Sequence, residues 1–196
     1  MHLALFGGSF DPPHYGHLAL AETARKELAV DSLLISVSRN PCKTASVAED
    51  RFRLDMTRLL AGEINRTGGA CRVDDWELNR PEPSYTVDYL RHIHATMVFS
   101  RLTLLLGEDN AQGLAEWKEV AEIARLSEIV VCRRQMNPSG SAEQMMQLPI
   151  PVTAVLELDV PVSSTGVRER IATGMALSGL VPPSIEAYIR HHRLYA

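Results

Sequence analysis

The sequence predicts an α/β fold: one doubly wound domain over residues 1–196, with a mostly parallel sheet and helices on both faces. Short apolar runs alternate with longer segments of helical period, as parallel strands joined by crossover helices require. One of these runs, residues 102–106 (Leu-Thr-Leu-Leu-Leu), is apolar enough to be a central strand covered on both sides. Composition agrees: 45% hydrophobic and 22% charged residues, with 12 Gly and 11 Pro in 196, describe an ordinary globular chain long enough for one core.

The elements follow in order. Residues 3–6 form a buried strand and residues 7–16 a Gly- and Pro-bearing loop, after which Leu20, Ala24 and Leu28 share one face of a helix. A strand at 33–37 completes a β-α-β unit. Ser46 and Glu49 have capping-box spacing, and Phe52, Met56, Leu59, Leu60 and Ile64 make one apolar stripe of the helix they open. A strand at 71–73 and a helix at 85–97 precede the central strand. Beyond it come a polar turn at 107–110, helical segments to about 125, a strand at 129–132, a loop at 135–148 and a strand at 152–156. Ser163 or Ser164 caps a helix running to about 173, and Pro182-Pro183-Ser184 introduces a closing helix ending near 191. No repeat and no linker divides the chain.

Net charge is −4, so no overall basic field exists to attract nucleic acid or anionic lipid, and neither partner is expected. The longest apolar runs are a few residues, against the roughly 20 of a membrane-spanning helix. No basic segment leads to a small-residue cleavage site near the start, so a cytoplasmic location is expected. Cys42, Cys71 and Cys132 form no Cys-x-x-Cys pair, which suits reduced thiols.

The chemistry concentrates in Phe6-Gly7-Gly8-Ser9-Phe10-Asp11-Pro12-Pro13-His14-Tyr15-Gly16-His17, between a strand and a helix. Such a turn brings backbone N–H groups close to a phosphate, and the helix start adds unpaired donors and partial positive charge. It matches neither the Walker pattern nor Gly-x-Gly-x-x-Gly. His14 and His17 can donate to phosphate oxygens; zinc ligation lacks a third ligand at characteristic spacing, and a purely structural pair is the other reading. Ser163, Ser164 and Thr165 offer hydroxyls and amides at a helix start, with Arg168 one turn in, which is either a second anion site or an ordinary cap beside a surface arginine. Lys43 lies beyond the second strand, at the sheet edge where ligands of such folds collect. Asp109 suits a ribose hydroxyl or a turn cap. Arg133 and Arg134 follow a strand onto the same edge. The cluster 190–193 reads as a solvated basic helix end.

These motifs resemble the nucleotidyltransferase superfamily marked by Gly-x-Phe-Asp-Pro-x-His-x-Gly-His and a distal Ser-x-Thr-x-x-Arg. Residues 8–17 fit the first and Ser163 to Arg168 the second. Within it the chain is most similar to the bacterial nicotinate-nucleotide adenylyltransferases, through Pro83-Ser84-Tyr85-Thr86-Val87-Asp88 and Gly107-Glu108-Asp109-Asn110 followed by Trp117. The resemblance implies a Rossmann-like domain that takes ATP and nicotinate mononucleotide, with Mg²⁺ carried on the ATP phosphates and no protein metal site. His14, His17, Lys43 and Arg168 would be catalytic. Gly7, Gly8, Ser9, Phe10, Gly16, Gly107, Asp109, Ser163, Ser164 and Thr165 would bind ATP. Tyr85, Thr86, Trp117 and Arg133 would bind the pyridine nucleotide. Cys42 stands where the family often has a histidine, while the neighbouring lysine is kept. Two competing readings are an adenylyltransferase for nicotinamide mononucleotide or phosphopantetheine, and a nucleotide-binding regulator without turnover.

Overall fold

The computed structural model describes residues 1–39, 46–80, 84–134 and 148–196. Six strands, β1 (His2–Gly8), β2 (Ser32–Val37), β3 (Cys71–Asp74), β4 (Arg101–Gly107), β5 (Glu128–Arg134) and β6 (Ala154–Leu158), form one sheet in the order β3-β2-β1-β4-β5-β6. All five pairings are parallel. The helices are α1 (Tyr15–Leu28), α2 (Asp50–Arg66), α3 (Thr86–Thr96), α4 (Glu108–Gln112), α5 (Val120–Leu126), α6 (Ser164–Ala172) and α7 (Pro183–His192), with a 3-10 turn at Leu114–Glu116. The doubly wound α/β architecture read from the sequence is present.

The central strands show why both faces must be covered. On β1, Ala4 and Phe6 enter one core while Leu3 and Leu5 enter the other. The first core lies under α1, α2, α6 and α7, through residues such as Leu20, Ala24, Met56, Leu60, Val167 and Ile185. The second lies under α3 and α5, through Val87, Leu90, Ile93 and Ile123. Each buried Leu or Ile contributes about 1.5–3 kcal/mol relative to exposure. β1 and β4 pair side by side with Phe6 opposite Leu105, but their following helices go to opposite faces. The crevice at their C-terminal ends is the topological switch point where ligands of such sheets bind.

Four local expectations are corrected. β1 runs on to Gly8, because Gly7 and Gly8 stay in register with Ser36 and Val37 of β2. The capping box of Ser46 and Glu49 does not form: α2 starts at Asp50 without a side-chain cap bond, and Glu49 pairs with Arg51 at 3.1 Å. A distant acceptor has replaced the local one, since the Asp11 carboxylate takes the N–H groups of Val47 (2.6 Å) and Ala48 (3.1 Å). The polar turn at 107–110 is the first turn of α4. β6 lies two residues later than expected, because pairing starts where the Thr153 N–H reaches the Ile129 carbonyl and Ala154 faces Val130. Cys71 and Cys132 are buried in the first core, which pushes both thiols up to about 12 and keeps them protonated. Among the described residues no helix is long and apolar enough to cross a membrane.

Candidate active site

After Gly8 the chain turns through a loop that cannot hold its shape by local preference. Phe10 has φ of 49°, a left-handed conformation disfavoured for a bulky residue, so surrounding contacts must over-determine it. They do so on both sides of it. Arg53 Nη1 donates to the Ser9 carbonyl (2.7 Å), Arg168 Nη1 to the Asp11 carbonyl (2.6 Å) and Ser164 Oγ to the Pro12 carbonyl (2.9 Å). A Cβ on Gly8 would lie 2.8 Å from the Phe10 ring, so the glycine is what lets that ring fold back.

His14 is the N-cap of α1, and its backbone N–H donates to Nδ1 of His17 (3.1 Å). That bond makes Nδ1 of His17 the acceptor and places the ring proton on Nε2. The two imidazoles stack with centroids 3.8 Å apart, and the Phe10 ring also packs on His17, tilted, at 4.9 Å. His14 is only 7% exposed, so it forms the wall against which the more open His17 is held.

The second motif closes the same cleft. Ser163 caps α6 by accepting from the Gly166 N–H (3.1 Å), and the Arg168 guanidinium divides between the Asp11 carbonyl and Thr165 Oγ1 (3.2 Å). Two segments separated by more than 150 positions thus share one loop. Together they bound a cavity of about 560 Å³ lined by Gly7, Gly8, Ser9, Phe10, His14, Gly16, His17, Gly107, Asp109, Ser163, Ser164, Thr165 and Arg168. Leu158, Val160 and Val162 supply an apolar wall. A Cβ at Gly7 or Gly107 would meet nothing within 4 Å, so the bare ends of β1 and β4 open onto free space. This is a cleft with imidazole, guanidinium, hydroxyl and two helix starts, a donor set suited to phosphate oxygens.

Gly7 also lines a second, small cavity with Thr86, Trp117, Glu77 and Tyr89. Thr86 opens α3, and Trp117 packs against the second core. Tyr85 is the N-cap of α3, and the Lys118 ammonium lies 4.7 Å from its ring; it lines neither cavity. Arg133 lines neither as well: on β5 it pairs with Glu157 of β6 (2.5 Å). Lys43 and Cys42 lie outside the described residues, as does the side chain of Arg134.

Several functional neighbours carried no local signal. Arg53 is buried in the α2 stripe, where helical period predicts an apolar residue or nothing notable. Tyr195 hydrogen-bonds the Asp11 carboxylate across 184 positions (2.8 Å). Glu108, at the start of α4, is 4% exposed, and neither carboxylate oxygen has a hydrogen-bond partner among the described residues. Glu77 receives Ser36 Oγ at 2.7 Å, beneath the second cavity.

The family model described as cytidylyltransferase-like matches residues 5–170, spanning both motifs and, apart from the first three residues of β1, all six strands. The chain belongs to the cytidylyltransferase-like family. Among its relatives, a protein of Chlorobium luteolum named "Probable nicotinate-nucleotide adenylyltransferase" is 48% identical over 100% of this chain and 98% of its own length. One of the same name from Chlorobium phaeovibrioides is 46% identical, with 100% and 99% covered. In three dimensions the chain is similar to the nicotinic acid mononucleotide adenylyltransferase of Plasmodium falciparum complexed with NaAD: TM-score 0.79, 17% identity, 99% of this chain and 97% of that one. The same Plasmodium enzyme complexed with APC superposes with a TM-score of 0.78 at 18% identity, with 99% and 96% covered.

The family's second loop glycine has a steric reason here. A Cβ on Gly16 would sit 2.9 Å from the His14 ring and 3.3 Å from the Val162 carbonyl, neither able to give way without disturbing the stacked histidines. Gly16→Ala is therefore expected to lower kcat by at least about tenfold, since a displacement near 1 Å at a reacting centre is costly. Steady-state kinetics with a melting curve checks this, and wild-type turnover would show that the stack tolerates the shift.

Proposed function

We propose that the chain transfers AMP from ATP to nicotinate mononucleotide, giving nicotinate adenine dinucleotide and pyrophosphate. The observation that carries this reading is the Arg168–Asp11 contact, which joins the histidine loop and the Ser163–Arg168 segment into one anion-binding cleft at the switch point. The names of the relatives and structural neighbours support the acceptor.

In this reading an oxygen of the nicotinate mononucleotide phosphate, already anionic at neutral pH, attacks the α phosphorus of ATP in line. A new P–O bond forms, the bond from the α phosphorus to the α,β-bridging oxygen breaks, and pyrophosphate leaves with that electron pair. No serine or cysteine nucleophile is required. The protein's task is placement and charge neutralisation. His17 donates to the α phosphate with His14 behind it; Ser163, Ser164, Thr165 and Arg168 take the β and γ phosphates; Lys43 adds a cation at the sheet edge. The bare backbone of Gly7, Gly8, Ser9, Phe10, Gly16 and Gly107 admits the nucleotide closely, and Asp109 receives a ribose hydroxyl. Thr86 and Trp117, with Tyr85 alongside, take the pyridine ring by stacking and backbone contacts. Arg133 reaches the ligand only by leaving Glu157. Mg²⁺ would enter bound to the ATP phosphates and would supply charge neutralisation there.

The test is pyrophosphate release from ATP and Mg²⁺ with nicotinate mononucleotide, nicotinamide mononucleotide or phosphopantetheine. Strong preference for nicotinate mononucleotide is expected. Preference for another acceptor would move the substrate and keep the chemistry, whereas no release with any of them would overturn the enzyme reading.

A further inference from the structure

Asp11 lies in the loop between β1 and α1, and its carboxylate accepts three hydrogen bonds. Two of its partners, the Val47 and Ala48 amides, come from the approach to α2. The third is the Tyr195 hydroxyl, which donates to Oδ1 at 2.8 Å. Tyr195 gets there through an unfavourable backbone: Arg193 has φ of 51° and Tyr195 φ of 64°, left-handed conformations that each cost about 1 kcal/mol or more for non-glycine residues. The hook is held by Leu194, which is buried in the first core and whose N–H donates to the Ile189 carbonyl (3.1 Å). Such strain persists only where surrounding contacts select it, and the polar contact selected is with the loop.

We propose that Tyr195 is a positioning residue of the active site, its hydroxyl fixing Asp11 and through it the loop that carries His14 and His17. The proposal rests on the adenylyl-transfer reading for its kinetic readout. The coupling is short. The same Asp11 receives Arg168 on its carbonyl, so loss of the Tyr195 bond removes one of the ties on the residue where the histidine loop and the Ser163–Arg168 segment meet. Burial and the Asp11 charge push the Tyr195 hydroxyl far above the ordinary tyrosine range, so it remains a donor throughout the working pH range. The acceptor pocket is untouched, because Tyr195 packs on the first core while Trp117 packs on the second.

Tyr195→Phe removes the hydroxyl and keeps the ring. The expected result is a kcat lower by about tenfold, a KM for nicotinate mononucleotide within about twofold of wild type, and a protein still folded at the assay temperature. Tyr188→Phe is the control: its hydroxyl donates to Asp55 Oδ2 at 2.8 Å, away from the loop, and the same kind of bond is lost without effect on kcat. Wild-type kcat in Tyr195→Phe, with or without a lowered melting temperature, would overturn the proposal and leave Tyr195 a stabilising contact only. An equal loss in Tyr188→Phe would also overturn it. If the wild-type protein releases no pyrophosphate with any acceptor, the adenylyl-transfer reading fails, and affinity for a non-hydrolysable ATP analogue becomes the readout. Weaker binding by Tyr195→Phe but not Tyr188→Phe would then uphold the positioning role, and equal binding would overturn it.

Discussion

His17→Ala is expected to lower kcat by about 10² or more while the protein keeps its fold and its KM for nicotinate mononucleotide, because in the proposed transfer the ring would supply a donor to charge that develops only in the transition state. The geometry supports the size of this effect. His17 packs against the rings of His14 (3.8 Å) and Phe10 (4.9 Å), and its Nδ1 is committed to the His14 N–H (3.1 Å), so little reorganisation is left for the moment of reaction. A donor held in this way is worth several kcal/mol, whereas a mobile one would compete with water. Parallel rate and melting measurements decide it. Unchanged turnover in a folded variant would remove His17 from the chemistry.

Arg53→Met is expected to have the largest effect on stability, about 3 kcal/mol, seen as a fall in melting temperature of roughly 10 °C. Arg53 is 2% exposed and donates to the carbonyls of Ser9 (2.7 Å) and Ser38 (3.2 Å) and to Asp50 Oδ1 (2.6 Å). Methionine replaces much of the volume but none of the donors. Most of the loss comes from the two carbonyls, since the Asp50 side chain is 41% exposed and water can replace its partner. Ser9 and Ser38 follow β1 and β2, so the same guanidinium ties two loop starts to α2. A change within about 2 °C would mean that water satisfies both carbonyls and that the ties contribute little.

The two motifs that line the cleft were legible because each works within a few residues of chain. Ser163 caps its own helix by a bond to Gly166, and the alternation of apolar runs already implied the cleft at the C-terminal ends of the strands. Local signals failed where a distant group outcompeted a near one. Ser46 and Glu49 had every local requirement of a capping box, yet Asp11, 36 positions before Val47, captured the amides ahead of the helix. The end of β1 differs from local expectation for a related reason: Gly7 and Gly8 suggest a loop on their own, but the ladder with Ser36 and Val37 holds them in the sheet.

The α/β architecture, the place of the histidine loop and the chemistry its residues can offer are written locally, since periodicity, glycine steric freedom and helix capping act over a few residues. Which distant groups complete that loop follows from the packed fold. Arg168 lies 157 positions from Asp11, Arg53 44 from Ser9 and Tyr195 184 from Asp11. Such partners leave no periodic trace, because a hydrogen bond between remote segments depends on how whole helices pack across the sheet. The same packing made His14 a buried wall and His17 the open donor, a distinction that two histidines three residues apart cannot express in sequence.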